Sequence, residues 1–281
     1  MLGSLLIVLR EVLEAGLIVG IVLAATQGVK GRTLWIAGGV AAGVLGAAGL
    51  AVFAGALSNA FSGNGQEVFN ASVLAVAVVM LGWHNIWMAS HGREMAHRMK
   101  AVGVDVSSGN RPLFAVAFVV AAAVLREGAE IVLFLYGIAA SGSEGWTMLL
   151  LGGLLGIGCG GAVSWLLYRG LLAIPIGRLF AVTSWLIALL AAGMAGQSAA
   201  LLANADIIPS WGFEIWNTSW LLDESSIGGR AMRALIGYSD RPMGVQLAAY
   251  LATLSTLLVG ARLVSTSSAR NATNESAAVH H

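Results

Sequence analysis

Two short stretches hold the side chains best equipped for chemistry: Arg10-Glu11-Val12-Leu13-Glu14 and Arg126-Glu127-Gly128-Ala129-Glu130. Both follow the pattern Val-Leu-Arg-Glu-x-x-Glu, 116 residues apart, and both interrupt long apolar runs. A charge held at the centre of a membrane span costs roughly 2.5–3.5 kcal/mol, so these six unpaired would cost on the order of 15–20 kcal/mol. Folding does not require that expense. The charges must therefore meet each other, water or a ligand, and an intramembrane ionisable cluster is a functional-site hypothesis by default.

The spacing limits what the cluster can do. Residues three apart on a helix are separated by about 60° in azimuth and about 4.5 Å along the axis. Glu11 and Glu14 therefore share a face, as do Glu127 and Glu130. Arg10 reaches Glu14, and Arg126 reaches Glu130, at the four-residue spacing of helical ion pairs. Turned inward together, four carboxylates and two guanidiniums carry a formal charge of −2 and offer oxygen ligands suited to hard cations. Two self-contained Arg–Glu bridges that only lock helix packing are the bland alternative. Duplication of the motif and its surplus negative charge favour a metal site.

The positions that carry chemistry must be placed by apolar helices. The chain has 281 residues, 58% of them hydrophobic and 10% charged, and its mean hydropathy is positive. This composition marks an integral membrane protein of all-α class. A net charge of +1 gives no reason to expect nucleic acid or an acidic partner. The lone cysteine, Cys159, cannot form an intrachain disulfide and reads as packing. The N-terminus has no basic region, so its apolar stretch reads as a first span and not a signal peptide.

Seven segments are long enough to cross a bilayer core: Leu2–Thr26, Leu34–Leu57, Val68–Ala89, Leu113–Ala140, Trp146–Tyr168, Leu179–Ala203 and Met243–Val264. All carboxylates within these spans belong to the first and fourth. Gly39 and Gly43, Gly152, Gly156 and Gly160, and Gly16 and Gly20 follow small-xxx-small spacing and predict close helix contacts. The connections with Lys30 and Arg32, with Arg93, Arg98, Lys100 and Arg111, and with Arg169 and Arg178 are basic. Those at Ser58–Glu67 and Ser141–Gly145 have no Lys or Arg. Basic loops inside put the N-terminus outside and the C-terminus inside, with 204–241 as an outer loop. Arg230 and Arg233 in that loop run against the rule.

With that orientation the first span enters from outside and the fourth from inside. Residues 1–110 and 111–203 then form an inverted 3+3 repeat, and both motifs fall near mid-membrane, where secondary transporters place their sites. The seventh helix, 243–264, is left to close one side or to meet another copy. From 265 to 281 the composition turns to Ser, Thr, Asn and Ala, the signature of a disordered cytoplasmic tail. His280-His281 has the form of a purification-tag remnant.

Several positions outside the motifs are secondary candidates. Glu67 stands before the third span, where it could collect cations or simply be a solvated carboxylate. His84, alone in an apolar span, is either a hydrogen-bonded structural histidine or a further ligand. Asp223 and Glu224 lie in the outer loop among Trp211, Trp216 and Trp220, whose rings suit an interfacial surface helix. Gln197 and Gln246 are candidate interhelical hydrogen-bond partners.

Taken with Trp83-His84-Asn85-Ile86-Trp87-Met88, Asp223-Glu224 and Gly237-Tyr238-Ser239-Asp240-Arg241-Pro242, the two motifs give a chain that resembles the oxidase-dependent iron transporter family. These are the high-affinity iron permeases of fungi and bacteria, and the resemblance covers nearly the whole chain. It implies Glu11, Glu14, Glu127 and Glu130 as iron ligands, with Arg10 and Arg126 as supporting charges. It also makes Glu67, His84, Asp223 and Glu224 a possible secondary path. Where relatives often carry a further Glu, this chain has Asn70.

The family further implies residence in a plasma or bacterial inner membrane, and an extracytoplasmic oxidase or iron-binding protein as supplier of the ion. A homo-oligomer is also open, and no prosthetic group is expected. The motif carboxylates leave Fe(III) and Fe(II) both open. A retinal protein is excluded because Lys30 and Lys100, the only lysines, lie in loops. An enzyme is not expected, since no nucleophile–base pair or nucleotide motif is present. The rival is a proton-coupled transporter of another divalent metal or an organic cation, because buried Glu residues also carry protons.

Overall fold

The computed structural model describes residues 1–60, 66–140, 145–170, 176–224 and 226–278. Among them the regular elements are eight helices: α1 (Leu2–Ala25), α2 (Arg32–Ala60), α3 (Gln66–Ser107), α4 (Leu113–Ala140), α5 (Trp146–Tyr168), α6 (Ile176–Asn204), α7 (Ile227–Ile236) and α8 (Gly244–Ala278). The protein is an all-helical membrane protein. Segments Arg32–Ala56, Glu67–Trp87, Trp146–Tyr168 and Ala181–Asn204 are long and apolar enough to cross a bilayer, and Gly244–Gly260 is a shorter apolar stretch. Helices α1 and α4, with 24 and 28 residues, are also long enough and differ by carrying the charged motifs. Large apolar side chains such as Leu34, Val52, Val79, Phe118 and Leu154 cover the outer surface, as lipid contact requires.

Glycine decides how the helices pair. Met1 and Ser4 lie against Gly152, Val8 against Gly156, Val12 against Gly160, and Gly16 against Ser164. Helices α1 and α5 therefore run side by side in the same direction. Along α2, Gly39 lies against Ala117 and Val120, Gly43 against Ala121 and Val124, and Ala47 against Gly128. Helices α2 and α4 thus form a second parallel pair. A Cβ on Gly43 would come within 2.7 Å of Val124 Cβ, and one on Gly156 within 2.8 Å of Val8 Cβ, so only glycine permits either approach.

The turn at 26–31, with Gly28 and Gly31 at φ of 91° and 81°, reverses the chain between α1 and α2. With both pairs parallel, α1 and α4 must run opposite ways. The first helix of each half embraces the second helix of the other, which is the packing of an inverted repeat.

Helices α3 and α6 pack on each other and close the remaining side. Ile7, Leu74, Leu81, Phe134 and Ile187 form the dry centre there, each at most 1% exposed. Ser198 Oγ donates to Ala71 O at 2.8 Å across that contact. Gln246, expected as an interhelical partner, accepts instead from Met243 N at 3.4 Å, beside the start of its own helix.

Two helices run past their expected ends. Helix α3 continues 18 residues beyond Ala89, through Arg93, Arg98 and Lys100, where the charge pattern predicts a loop. Its extension is held by burial: Val106 packs with Val22, Ile36, Val116 and Val120, and Gly103 lies against Ala25. Helix α8 reaches Ala278, through the segment expected to be a disordered tail. No Gly or Pro after Gly260 interrupts it. The two connections read as free of Lys and Arg fall largely at 61–65 and 141–144, outside the described residues, as do His280 and His281.

Candidate functional site

The antiparallel crossing of α1 and α4 brings the two motifs face to face, and α3 adds His84 to the same cluster. Arg10, Glu11, Glu14, His84 and Glu127 are each at most 3% exposed, and Glu130 is 8% exposed. Arg10 Nε lies 2.9 Å from Glu14 Oε1, and its Nη1 lies 3.6 Å from Glu11 Oε1. On the other motif Arg126 Nε lies 3.3 Å from Glu130 Oε1 and 3.9 Å from Glu127 Oε1. Both four-residue pairings expected from the sequence are present.

His84 bridges the motifs. Its Nε2 is 3.1 Å from Glu14 Oε2, and its Nδ1 is 2.7 Å from Glu130 Oε2. Arg126 Nη2 also lies 3.3 Å from Nδ1. Trp87, one turn farther along α3, offers its ring to Arg126, whose Cζ sits 4.8 Å from the ring centroid. In the sequence, Trp87 is one residue of the segment Trp83–Met88 with no assigned role. Its spacing from His84 was the available signal, because residues three apart share a helix face. Trp83, adjacent to His84 and so rotated about 100° from it, is 70% exposed.

One ligand atom each from Glu11, His84, Glu127 and Glu130 fits within a span of 4.8 Å. Among the described residues, neither oxygen of Glu11 accepts a hydrogen bond, and neither does Glu127 Oε2. Buried carboxylate oxygens without donors are costly, and a bound cation is one way to offset that cost. Helices α1, α2, α4 and α5 also line an open pocket of about 620 Å³. Glu11 and Glu127 stand in its mostly apolar wall, with Ser164, Trp165 and Tyr168 among the lining side chains.

The remaining candidates have other surroundings. Glu67 is exposed in the first turn of α3. Glu224 is paired with Arg233 of α7 and receives Ser239 Oγ at 3.5 Å, and its backbone N–H donates to Asp240 Oδ2 at 3.4 Å. Burial draws the Arg233 pKa down from its ordinary value, with Asp240 opposing the shift. Asp223 is exposed, and its carbonyl accepts from Ser226 Oγ. These contacts tie the outer loop to α7, which starts at the Ser226 cap and ends at left-handed Gly237.

The description "Iron permease FTR1 family" belongs to a family model that matches residues 1–270. The ferrous iron permease EfeU of Escherichia coli O6:H1 is 32% identical over 263 residues, covering 90% of this chain and 92% of the relative. EfeU of Shigella sonnei is 32% identical over 265 residues, with the same coverage of both chains. That of Shigella flexneri is 29% identical over 209 residues, covering 74% of this chain and 88% of the relative. No solved structure matches.

Proposed function

The chain belongs to the iron permease FTR1 family, and from that premise we propose that it moves iron into the cytoplasm through the buried site between α1 and α4. The observation that carries the proposal is the convergence of Glu11, His84, Glu127 and Glu130 ligand atoms within 4.8 Å, inside an apolar helical protein. Ferrous iron is the proposed form: the relatives are named ferrous iron permeases, and a histidine nitrogen among carboxylates suits Fe(II). The proposed membrane is the plasma or bacterial inner membrane, with seven spans, the N-terminus outside and the C-terminus inside. An extracytoplasmic oxidase or iron-binding protein as supplier, and a homo-oligomer, remain parts of the proposal that rest on family resemblance alone.

The geometry suggests a division of labour. Arg10 and Arg126 neutralise part of the carboxylate charge, so that the empty site is tolerated. An arriving cation replaces its hydration shell with carboxylate oxygens. An inside-negative potential favours inward movement by about 2.3 kcal/mol per charge per 100 mV, or roughly 4.6 kcal/mol for Fe(II). That supplies a driving force without a coupled proton. The test is radiolabelled iron uptake into vesicles holding the full chain, under an imposed inside-negative potential. Uptake above empty vesicles, abolished by collapsing the potential, is expected; uptake equal to empty vesicles refutes the proposal.

One observation favours the rival reading. The 620 Å³ pocket with Glu11 and Glu127 in its wall could take the apolar body of an organic cation. Proton-driven efflux of such a cation, with no iron uptake, would establish that alternative. Family membership weighs for iron.

A further inference from the structure

The two motifs are equivalent in sequence but not in surroundings. Glu14 Oε2 is hydrogen-bonded to His84 Nε2 at 3.1 Å, while its Oε1 lies 2.9 Å from Arg10 Nε as an ion pair without hydrogen-bond geometry. Its counterpart Glu130 presents Oε2 to the opposite ring nitrogen, Nδ1, at 2.7 Å, where Arg126 Nη2 also stands at 3.3 Å and would have to give way to a bound ion. Glu11, wholly buried, has no hydrogen bond to either oxygen among the described residues. The group whose ligand atoms converge contains His84 and leaves out Glu14.

Distances test whether that group could hold an ion. Nitrogen and carboxylate ligands sit about 2.0–2.2 Å from a small divalent ion. Neighbouring donors of an octahedron are then about 2.8–3.1 Å apart, and opposite donors about 4.0–4.4 Å apart. The 2.7 Å contact between His84 Nδ1 and Glu130 Oε2 is close to such an edge. The 4.8 Å outer limit of the group exceeds such a diameter by about half an ångström, within reach of small rotations of Glu side chains. Glu14 meets the other edge of the imidazole, at Nε2. A histidine that ligates a metal through one nitrogen commonly gives its other N–H to a carboxylate, which fixes the tautomer and the ring.

We propose that His84 binds the transported ion through Nδ1, together with Glu11, Glu127 and Glu130, and that Glu14 is a positioning residue holding His84 through Nε2. This inference rests on the iron-permease reading and revises its ligand set. Three carboxylates and one nitrogen replace four carboxylates. A nitrogen donor also gives the site a means of preferring Fe(II) over Mg²⁺ and Ca²⁺, which favour oxygen alone.

The test uses the purified full chain in nanodiscs with Mn(II) as a paramagnetic probe, read by electron spin-echo modulation. Imidazole nitrogen modulation is expected in the wild type and should vanish in His84→Gln. Glu14→Gln should keep the modulation while weakening Mn(II) binding about 10–100-fold, the usual effect of removing an outer carboxylate. Glu11→Gln should weaken binding more than Glu14→Gln. Bound Mn(II) without nitrogen modulation overturns the proposal on the wild-type spectrum alone, even if a variant fails to fold. Modulation that survives in His84→Gln overturns it too, because the nitrogen then comes from another histidine. So does a Glu14→Gln variant that loses binding as completely as Glu11→Gln. Uptake of radiolabelled iron by the wild type separates the two levels: uptake without nitrogen modulation refutes this ligand set and spares the iron reading, whereas absent uptake and absent Mn(II) binding refute both.

Discussion

Arg10 and Arg126 hold the same place in the same motif, yet replacing them with leucine should have unequal effects. The Arg10 side chain is 2% exposed and pairs at 2.9 Å with Glu14, itself 2% exposed. Taking away one partner of such a pair leaves an uncompensated buried charge and costs about 3–5 kcal/mol. The Arg126 side chain is 36% exposed, with its Glu130 pair at 3.3 Å and the Trp87 ring at 4.8 Å. An exposed pair contributes up to about 1 kcal/mol, but the partner left behind here, Glu130, is only 9% exposed, so the loss lies between the exposed and buried limits, at about 1–2 kcal/mol. Stacking on a partly exposed ring adds about 0.5–1 kcal/mol. Arg126→Leu should therefore cost about 2–3 kcal/mol. A gap of about 1–2 kcal/mol corresponds to roughly 5- to 30-fold in the unfolding equilibrium. Reversible denaturation of each variant in bicelles by added SDS, followed by tryptophan fluorescence, measures the gap directly. Equal losses, or a larger loss for Arg126→Leu, would refute the argument from burial.

Other consequences are as open to measurement. Glu11→Gln and Glu127→Gln should each cut iron uptake by at least tenfold while leaving the protein inserted, as vesicle uptake and a protease-protection assay would show. Gly156→Leu should destabilise the α1–α5 contact severely, because even a Cβ there meets Leu5 O at 2.9 Å, whereas Gly158→Ala faces open space and should be neutral; thermal unfolding in detergent compares them. In a Cys159→Ala background, Asn217→Cys should react with an impermeant maleimide added outside intact cells, and Gln27→Cys only after permeabilisation. The reverse labelling pattern would overturn the proposed orientation.

Much of this arrangement was legible because it is written in local spacing. The duplicated Arg-Glu-x-x-Glu pattern announced two inward faces, and the four-residue spacing gave the ion pairs of Arg10 with Glu14 and Arg126 with Glu130. The glycines at 39, 43, 152, 156 and 160 marked helix contacts, although which helix each would meet was not encoded nearby. His84 was ambiguous for the same reason. Its partners Glu14 and Glu130 lie 70 and 46 residues away, and no periodicity in α3 points at them. The unlike burial of Arg10 and Arg126 was invisible, since identical motifs differ only in the neighbours that the fold supplies. Helix α3 beyond Ala89 was missed because its charges imitate a loop, while Val106 and Gly103 provide the contacts that keep it helical.

The exchange of partners between the halves also bears on how the molecule can move. Helix α1 is seated on α5 by Gly152, Gly156 and Gly160, and α4 on α2 by Gly39 and Gly43. Rocking the two sequence repeats against each other as rigid blocks would have to pull both seams apart at once. The units able to shift intact are instead the exchanged pairs, α1 with α5 and α2 with α4, each carrying one complete motif. Any sliding of one pair past the other changes the separation of Glu11 from Glu127 directly. On the proposed transport reading, opening the path and loosening the grip on the ion would then be a single displacement, with no separate gate needed to coordinate them.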